Sequence, residues 1–297
     1  MKVLSLFDGM SCGQIALERV GIKVDKYYAS EINPYSIKIT QKNYPGTIQL
    51  GDVRNIHTKQ LAKIDLLIGG SPCQNLSITA IDREEVANGL KGSKSSLFFE
   101  YVKLLKELKP RYFLLENVAS MTNENRDIMS EFMGVEPIFI DSNLVTAQDR
   151  ARYYWTNIPN IQQPQALNIC LKDIMQPNVD EKYFYDRPFT FNGWDKKIIA
   201  TLDLKGHEQM KRVYNPLMTC GTLTACRGGN LQKKVYENGR CRKLTPTEYE
   251  ILQTVPIGYT EGVSESQRYN MLGDGWTVDV IAHIFANMEM QKIENAV

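Results

Sequence analysis

The sequence predicts an α/β protein built on a mostly parallel, Rossmann-like sheet and followed by a smaller second lobe. Three observations predict it. Short apolar stretches alternate with helical patterns through the first half of the chain. Glycine turns and acidic residues stand just past the ends of those stretches, where the carboxyl ends of parallel strands gather a ligand. Beyond Asn160 the alternation lapses into proline- and glycine-punctuated sequence through Asn238, and helical patterning then resumes. The expected organisation is a catalytic and cofactor-binding α/β domain over 1–160, a small irregular lobe over 161–240 and a C-terminal segment over 241–297 that packs back on the first domain.

In chain order, the expected strands are Val3–Phe7, Lys26–Ser30, Ile64–Ile68, Tyr112–Leu115 and Pro137–Ile140, each a short run rich in β-branched, aromatic or other apolar residues. The expected helices between them are Gln14–Val20, Pro34–Tyr44, Ser96–Leu108 and Arg126–Met133. Near the end, "TPTEYEILQTVP" and "TVDVIAHIFANM" read as helices. The second places Val278, Ile281, Ala282, Phe285 and Met288 on one face, which suits packing against the sheet.

Composition narrows the function classes. A chain of 297 residues with 43% hydrophobic and 23% charged residues is an ordinary soluble globular protein. No apolar run approaches the roughly 18 residues of a membrane span, and no basic segment leads into an apolar one as in a signal peptide, so an intracellular protein is expected. The six cysteines contain no C-x-x-C pair and the three histidines lie far apart, which disfavours a zinc site or a disulfide framework. Net charge is +1, but 186–243 holds 12 Lys and Arg against 5 Asp and Glu, whereas 244–297 holds 2 against 8. Such a basic segment suits contact with phosphates, and equally a solvated charged face.

The strand ends carry the chemistry. "FDGMSCGQIAL" gives a turn with Gly9 and Gly13 before a helix, which lets backbone approach a ligand closely, yet it is no G-x-G-x-x-G, so a dinucleotide oxidoreductase loses weight. Glu31 follows the second strand, 23 residues past Asp8, where a Rossmann-like unit places an acid on ribose hydroxyls. "GDVRN" adds a third acid, Asp52. Together they suit an adenosine-containing cofactor. The strand in "IDLLIGGSPCQNLS" ends by presenting Cys73 directly after Pro72, and Glu116 in "FLLENV" stands on what should be the adjacent strand. Gln148, Arg150 and Arg152 in "AQDRARYYW" are further polar groups for the same centre, and two arginines at i, i+2 share one side of an extended segment. A thiolate, a carboxyl group, guanidinium groups and an adenosine pocket suit methylation at carbon 5 of cytosine. Thiolate addition to carbon 6 makes carbon 5 nucleophilic, with charge stabilised by protonation at N3.

In order and spacing, "FDGMSCG", "SEIN", "GDVR", "GGSPCQ", "ENV", "AQDRARYYW", "RKLTPTEYEILQ" and "LGDGWTVDVIAHI" resemble the motif series of DNA cytosine-C5 methyltransferases. The resemblance covers nearly the whole chain except about 161–238. It is closest in flavour to animal de novo DNA methyltransferase catalytic domains, without their regulatory domains, and to related phage and bacterial enzymes. It implies a Rossmann-like S-adenosylmethionine-dependent methyltransferase fold with a small irregular target-recognition lobe. It further implies that Cys73 is the nucleophile, Glu116 the contact to N3 and the exocyclic amine, and Arg150 and Arg152 supports of that centre. Phe7, Asp8, Gly9 and Gly13 would line the S-adenosyl-L-methionine pocket, with Glu31 on the ribose, Asp52 near the adenine amine and Pro72 shaping the catalytic turn. Relatives close the loop matching 74–95 over duplex DNA and flip the target base out of the helix. Gln74 and Ser77 in that loop, and Thr222, Arg227, Lys233 and Lys234 in the basic segment, would then meet DNA. Many relatives carry Gly-Asn-Ser where this chain has Gly273-Asp274-Gly275, expected as a turn before a helix near Thr277.

The implied protein is an intracellular enzyme, bacterial or phage-encoded, with double-stranded DNA as partner, a possible cognate restriction endonuclease, a monomeric state and no membrane association. Three other readings compete. A transfer-RNA cytosine-C5 methyltransferase of the same fold would label RNA rather than DNA. A catalytically dead relative is disfavoured by the presence of Cys73, Glu116, Arg150 and Arg152. A thiol hydrolase lacks a histidine partner for the cysteine.

Overall fold

The computed structural model describes residues 1–71, 96–226 and 230–288. Seven strands form the larger sheet: β1 (Lys2–Leu6), β2 (Lys26–Ser30), β3 (Ile48–Gln49), β4 (Leu66–Gly70), β5 (Tyr112–Val118), β6 (Ile138–Asp141) and β7 (Ala151–Thr156). Their order is β3-β2-β1-β4-β5-β7-β6. Neighbours from β3 to β5 pair in parallel, while β7 runs antiparallel to both β5 and β6. The order reverses direction between β1 and β4, and the crevice at their carboxyl ends is where such sheets bind ligands.

Strand alternation sorts the core into two layers. On one face Val3, Leu66, Ile68 and Leu114 pack with Ile15 and Ala16 of α1 (Cys12–Arg19). On the other, Leu4, Leu6, Leu67, Phe113 and Leu115 pack with Phe98, Tyr101 and Val102 of α3 (Ser96–Leu108), after α2 (Pro34–Asn43). The i, i+3, i+4 spacing of those α3 residues is the helical period the sequence displays. Helix α4 (Asn123–Met133) starts at the Thr122 cap and stops at Gly134 in the left-handed region (φ 71°).

After β7 the chain builds a second sheet, which corrects the expectation of an irregular lobe. Strands β8 (Phe189–Phe191), β9 (Ile198–Leu202), β10 (Arg212–Tyr214), β11 (Lys234–Glu237) and β12 (Arg240–Lys243) lie in the order β12-β11-β10-β9-β8. They are three to five residues long and cover a small core of Ile199, Ala200, Leu202, Val213 and Cys241, so their alternation is too short to stand out in sequence. Tyr214, Cys220, Leu223, Cys226 and Val235 instead join the core of the larger sheet.

The C-terminal part contributes α5 (Pro246–Leu252), α6 (Glu265–Asp274) and α7 (Val278–Phe285). Thr245 and Glu248 cap α5 reciprocally, with Pro246 in the first turn. Helix α7 buries Val278, Ile281, Ala282 and Phe285, with Met288 just beyond it, and packs on α1. Gly273 and Asp274 belong to the last turn of α6 rather than to a free turn, and a side chain at Gly273 would lie 2.2 Å from the Thr224 backbone. That close approach docks the second lobe on the C-terminal helices. No helix among the described residues is long and apolar enough to cross a membrane.

Candidate active site

The turn after β1 is built from three left-handed residues, Phe7 (φ 56°), Gly9 (φ 57°) and Ser11 (φ 64°). A side chain added at Gly9 would meet nothing within 4 Å, so the turn leaves open space beside its backbone at the crevice. Gly9 N donates to Glu31 Oε2 at 2.7 Å, and Ile32 N and Asn33 N donate to Glu31 Oε1 at 2.7 and 2.8 Å. Glu31 therefore ties the ends of β1 and β2 together while Oε2 keeps one lone pair for a further donor.

Two residues expected to line this pocket face elsewhere. The Asp8 carboxyl is buried, accepting from Ser11 Oγ and, at 2.8 Å, from the Tyr27 hydroxyl. Burial pushes its pKa up to about 6 against the lowering effect of those hydrogen bonds. Gly13 is required by packing: a Cβ there would sit 2.4 Å from Ile68 Cδ1 and 2.9 Å from the Tyr27 oxygen. Asp52 caps the turn Val53–Asn55 and grips Arg54 in a forked ion pair, and its hydrogen bonds to Arg54 bring its pKa down to about 2. As arranged, that carboxylate is presented to Arg54 rather than to an adenine.

At the carboxyl ends of β4 and β5, Gly70 lies opposite Glu116. Arg152 Nε of β7 is 2.6 Å from Glu116 Oε1, with its N–H off the line of contact, so charge rather than an aligned hydrogen bond holds the pair. The Trp276 indole donates to Glu116 Oε2 at 3.1 Å. A Cβ on Gly70 would approach that oxygen to 2.8 Å and the indole nitrogen to 2.9 Å, so the glycine makes room for both groups. Next to it, Asn117 Nδ2 donates to Ser71 Oγ at 3.0 Å, fixing the last described residue before Pro72 and Cys73. Trp276 and Asn117 were not anticipated as site residues, although "ENV" and "GDGWT" contain them.

Arg150 and Gln148 do not share this contact. The Arg150 guanidinium is buried and donates to the carbonyls of Leu223 (3.0 Å), Gly273 (3.3 Å) and Gly275 (2.7 Å). Burial, then the nearby Arg152, lower its pKa to about 10, which leaves it charged at neutral pH. Gln148 is fully buried, donating to the Leu252 carbonyl and accepting from Leu223 N. Arg150 sits just before β7 and Arg152 within it, so their i, i+2 spacing does not aim both at one partner.

The expected DNA contacts divide similarly. Lys234 is buried, its amine donating to the Asn230 and Gln232 carbonyls at 2.7 and 2.9 Å, so it is a bracket for its own loop rather than a phosphate contact. Burial, then Lys233, lower its pKa to about 8. Lys233 is half-buried, and desolvation lowers its pKa too. The Thr222 hydroxyl donates to the Asp149 carbonyl at 2.7 Å. Lys196, Lys197, Arg212, Arg240 and Arg242 are ion-paired, so much of the segment's positive charge is neutralised locally. Pro72, Cys73, Gln74, Ser77 and Arg227 lie outside the described residues, as does the rest of the 74–95 loop.

The sheet order, with its reversed seventh strand and its crevice between β1 and β4, defines a Rossmann-like fold shared with solved methyltransferase structures. The solved structure of the Entamoeba histolytica methyltransferase EhMeth superimposes with a TM-score of 0.71, covering 98% of this chain and 99% of that one; at 17% identity this shows the shared fold alone. The family described as C-5 cytosine-specific DNA methylase matches residues 1–290, and this chain belongs to it. It is 27% identical to the type II methyltransferase M.HhaI of Haemophilus parahaemolyticus over 316 residues, 97% of this chain and 94% of that protein. It is 31% identical to the orphan methyltransferase M.SPRI of Bacillus phage SPR over 221 residues, 69% of this chain. That match spans only 49% of the longer phage protein.

Proposed function

We propose that this chain is an S-adenosylmethionine-dependent DNA (cytosine-5-)-methyltransferase acting on duplex DNA. The observation that carries the reading is Glu116, a carboxylate held by Arg152 and Trp276 at the end of β5, beside the strand that leads into Pro72 and Cys73. The open turn at Gly9 and the remaining acceptor on Glu31 fit an adenosine-bearing methyl donor, held by the Phe7–Gly9 backbone and Glu31. Asp52 would reach the adenine amine once Arg54 yields. Bound S-adenosylmethionine would supply an electrophilic methyl group.

The protein's own groups prepare the cytosine. The Cys73 thiolate adds to carbon 6 of a flipped-out base while Glu116 holds a proton at N3 and accepts from the exocyclic amine, so the ring electrons move to carbon 5. After carbon 5 is methylated, loss of its proton and expulsion of the thiolate restore the aromatic ring. Arg152 keeps Glu116 in place. Sequence choice falls to the second lobe, with Arg227 as the side chain suited to guanine and Gln74 and Ser77 approaching from the 74–95 loop.

The type II and orphan relatives support a bacterial or phage setting. Our reading adds a monomeric protein in the host cytoplasm, either paired with a cognate restriction endonuclease or acting alone. The test is a covalent trap: duplex DNA carrying 5-fluorocytosine should form a denaturation-resistant adduct that requires S-adenosylmethionine and disappears in Cys73→Ala. Tritium transfer to transfer RNA but not to DNA, or a fully active Cys73→Ala protein, would overturn the reading.

A further inference from the structure

The Glu116 carboxylate is gripped from two sides of unequal character. Arg152 comes from the neighbouring strand β7 and meets Oε1 by charge with its N–H misaligned. A second contact is the Trp276 N–H donated to Oε2, at 3.1 Å, from a residue 160 positions away. A misaligned ion pair fixes distance better than angle, whereas a directional N–H donor fixes the plane of a carboxylate. The surroundings are arranged around that donor. Gly70 lacks the methyl group that would intrude on both atoms of the contact. Arg150 donates to the Gly273 and Gly275 carbonyls, and Gln253 Nε2 to the Leu272 (2.6 Å) and Gly275 (3.0 Å) carbonyls. Two buried side chains, one just before β7 and one just after α5, thus pin the backbone immediately before Trp276. A side chain at Gly275 would meet Met10 Cε of the β1–α1 turn at 2.9 Å and Cys12 Sγ at the start of α1 at 3.4 Å, so the space beside this backbone is already filled.

We propose that Trp276 is a positioning residue for Glu116, orienting its carboxyl group toward the pyrimidine ring, and that Arg150 and Gln253 act through Trp276 by holding the 272–275 backbone. This rests on the reading of Glu116 as the group that meets cytosine N3. A carboxyl group rotated out of the ring plane could approach N3 without placing its proton along the lone pair, so loss of the indole donor lowers the rate of the chemical step rather than the affinity for DNA.

The test replaces Trp276 with benzothienylalanine, in which sulfur takes the place of the indole N–H and the ring shape is kept, alongside Trp276→Phe and Gly70→Ala. Single-turnover methyl transfer should fall about tenfold or more in each, as expected for loss of a hydrogen bond to a charged group. The dissociation constants for S-adenosylmethionine and duplex DNA should change less than about twofold for the benzothienylalanine protein. In a Glu116→Gln background, removing the donor should cost little further rate, because the group it acts through is already impaired. A benzothienylalanine protein with the wild-type rate overturns the proposal, and so does a loss equally large in the Glu116→Gln background. A wild-type protein that forms no 5-fluorocytosine adduct instead removes the reading of the site, and the proposal with it.

Discussion

Arg242 and Glu248 meet through two hydrogen bonds of 2.8 and 2.7 Å with both side chains fully buried. The same Glu248 carboxylate accepts from Thr245 N at 2.7 Å and Gln176 N at 2.9 Å, while the Arg242 Nε contacts Glu237 at 2.5 Å. Strand β12, the start of α5 and the segment at residue 176 thus share one charge pair. Removing Glu248 leaves Arg242 with Glu237 alone and strips two backbone N–H groups of their acceptor, at a cost of about 3 kcal/mol, the low end for a broken buried pair. Glu248→Ala should accordingly lower the urea midpoint strongly, and Arg242→Met combined with Glu248→Leu should recover part of the loss. Urea titration of the three proteins checks the order.

Asp8 predicts a pH dependence of stability. Burial raises its folded pKa from the usual 3.8 to about 6, so between those values the folded chain holds a proton the unfolded chain has released. Stability from this group is full below about pH 4, declines as pH rises, and levels off above about pH 6. The decline should amount to about 3 kcal/mol. Asp8→Asn should therefore compare more favourably with the wild type at pH 8 than at pH 4.5. Equal differences at both values in paired denaturation curves would show the carboxyl is not desolvated.

Gly273→Ala puts a methyl group 2.2 Å from the Thr224 backbone carbon and oxygen and 2.4 Å from Ala225 N. Backbone has no rotamer to change, so the α6 contact with 224–225 must open. A loss of about 3 kcal/mol or more is expected, at the upper end of overpacking costs, with faster hydrogen exchange at residues 220–226. Gly134→Ala, where a Cβ meets nothing within 4 Å, should cost less, through its positive φ alone.

Lys234→Met tests the reassignment of that lysine. Its amine already serves two carbonyls of its own loop, so replacing it should leave the slope of log Kd against log salt for duplex DNA unchanged, while lowering thermal stability. A slope reduced by about one would return Lys234 to the phosphate-contacting set.

The sequence was most legible where one local rule decided the outcome. Lys26–Ser30 and Ser96–Leu108 form with the expected bounds because β-rich and amphipathic patterns are long enough to show their periods. Glu116 is legible because a carboxylate after an apolar run needs a partner to be buried and its strand neighbours the one leading to Cys73, although a structural ion pair accounts for such a residue too. Strand β7 escaped notice because Arg152 and Tyr153 interrupt its apolar alternation, and the second sheet because its strands are too short to display one. Burial of Lys234 was illegible for another reason: its partners are backbone carbonyls, which every residue carries. Trp276 illustrates the last limit, since only the fold brings position 276 to position 116.

The contact of Trp276 with Glu116, and the packing of α7 on α1, also govern the order in which a working molecule can arise. The first strand leaves the ribosome long before the indole that will touch Glu116 has been synthesised, and the helix that covers α1 follows later still. A nascent chain can pair β1, β2 and β4 early, yet its centre stays incomplete until residue 276 has been added. Truncated products that end before residue 276 would therefore lack the complete contact network. Such fragments would lack the donor on Glu116, and synthesis itself would act as a check on the assembled centre.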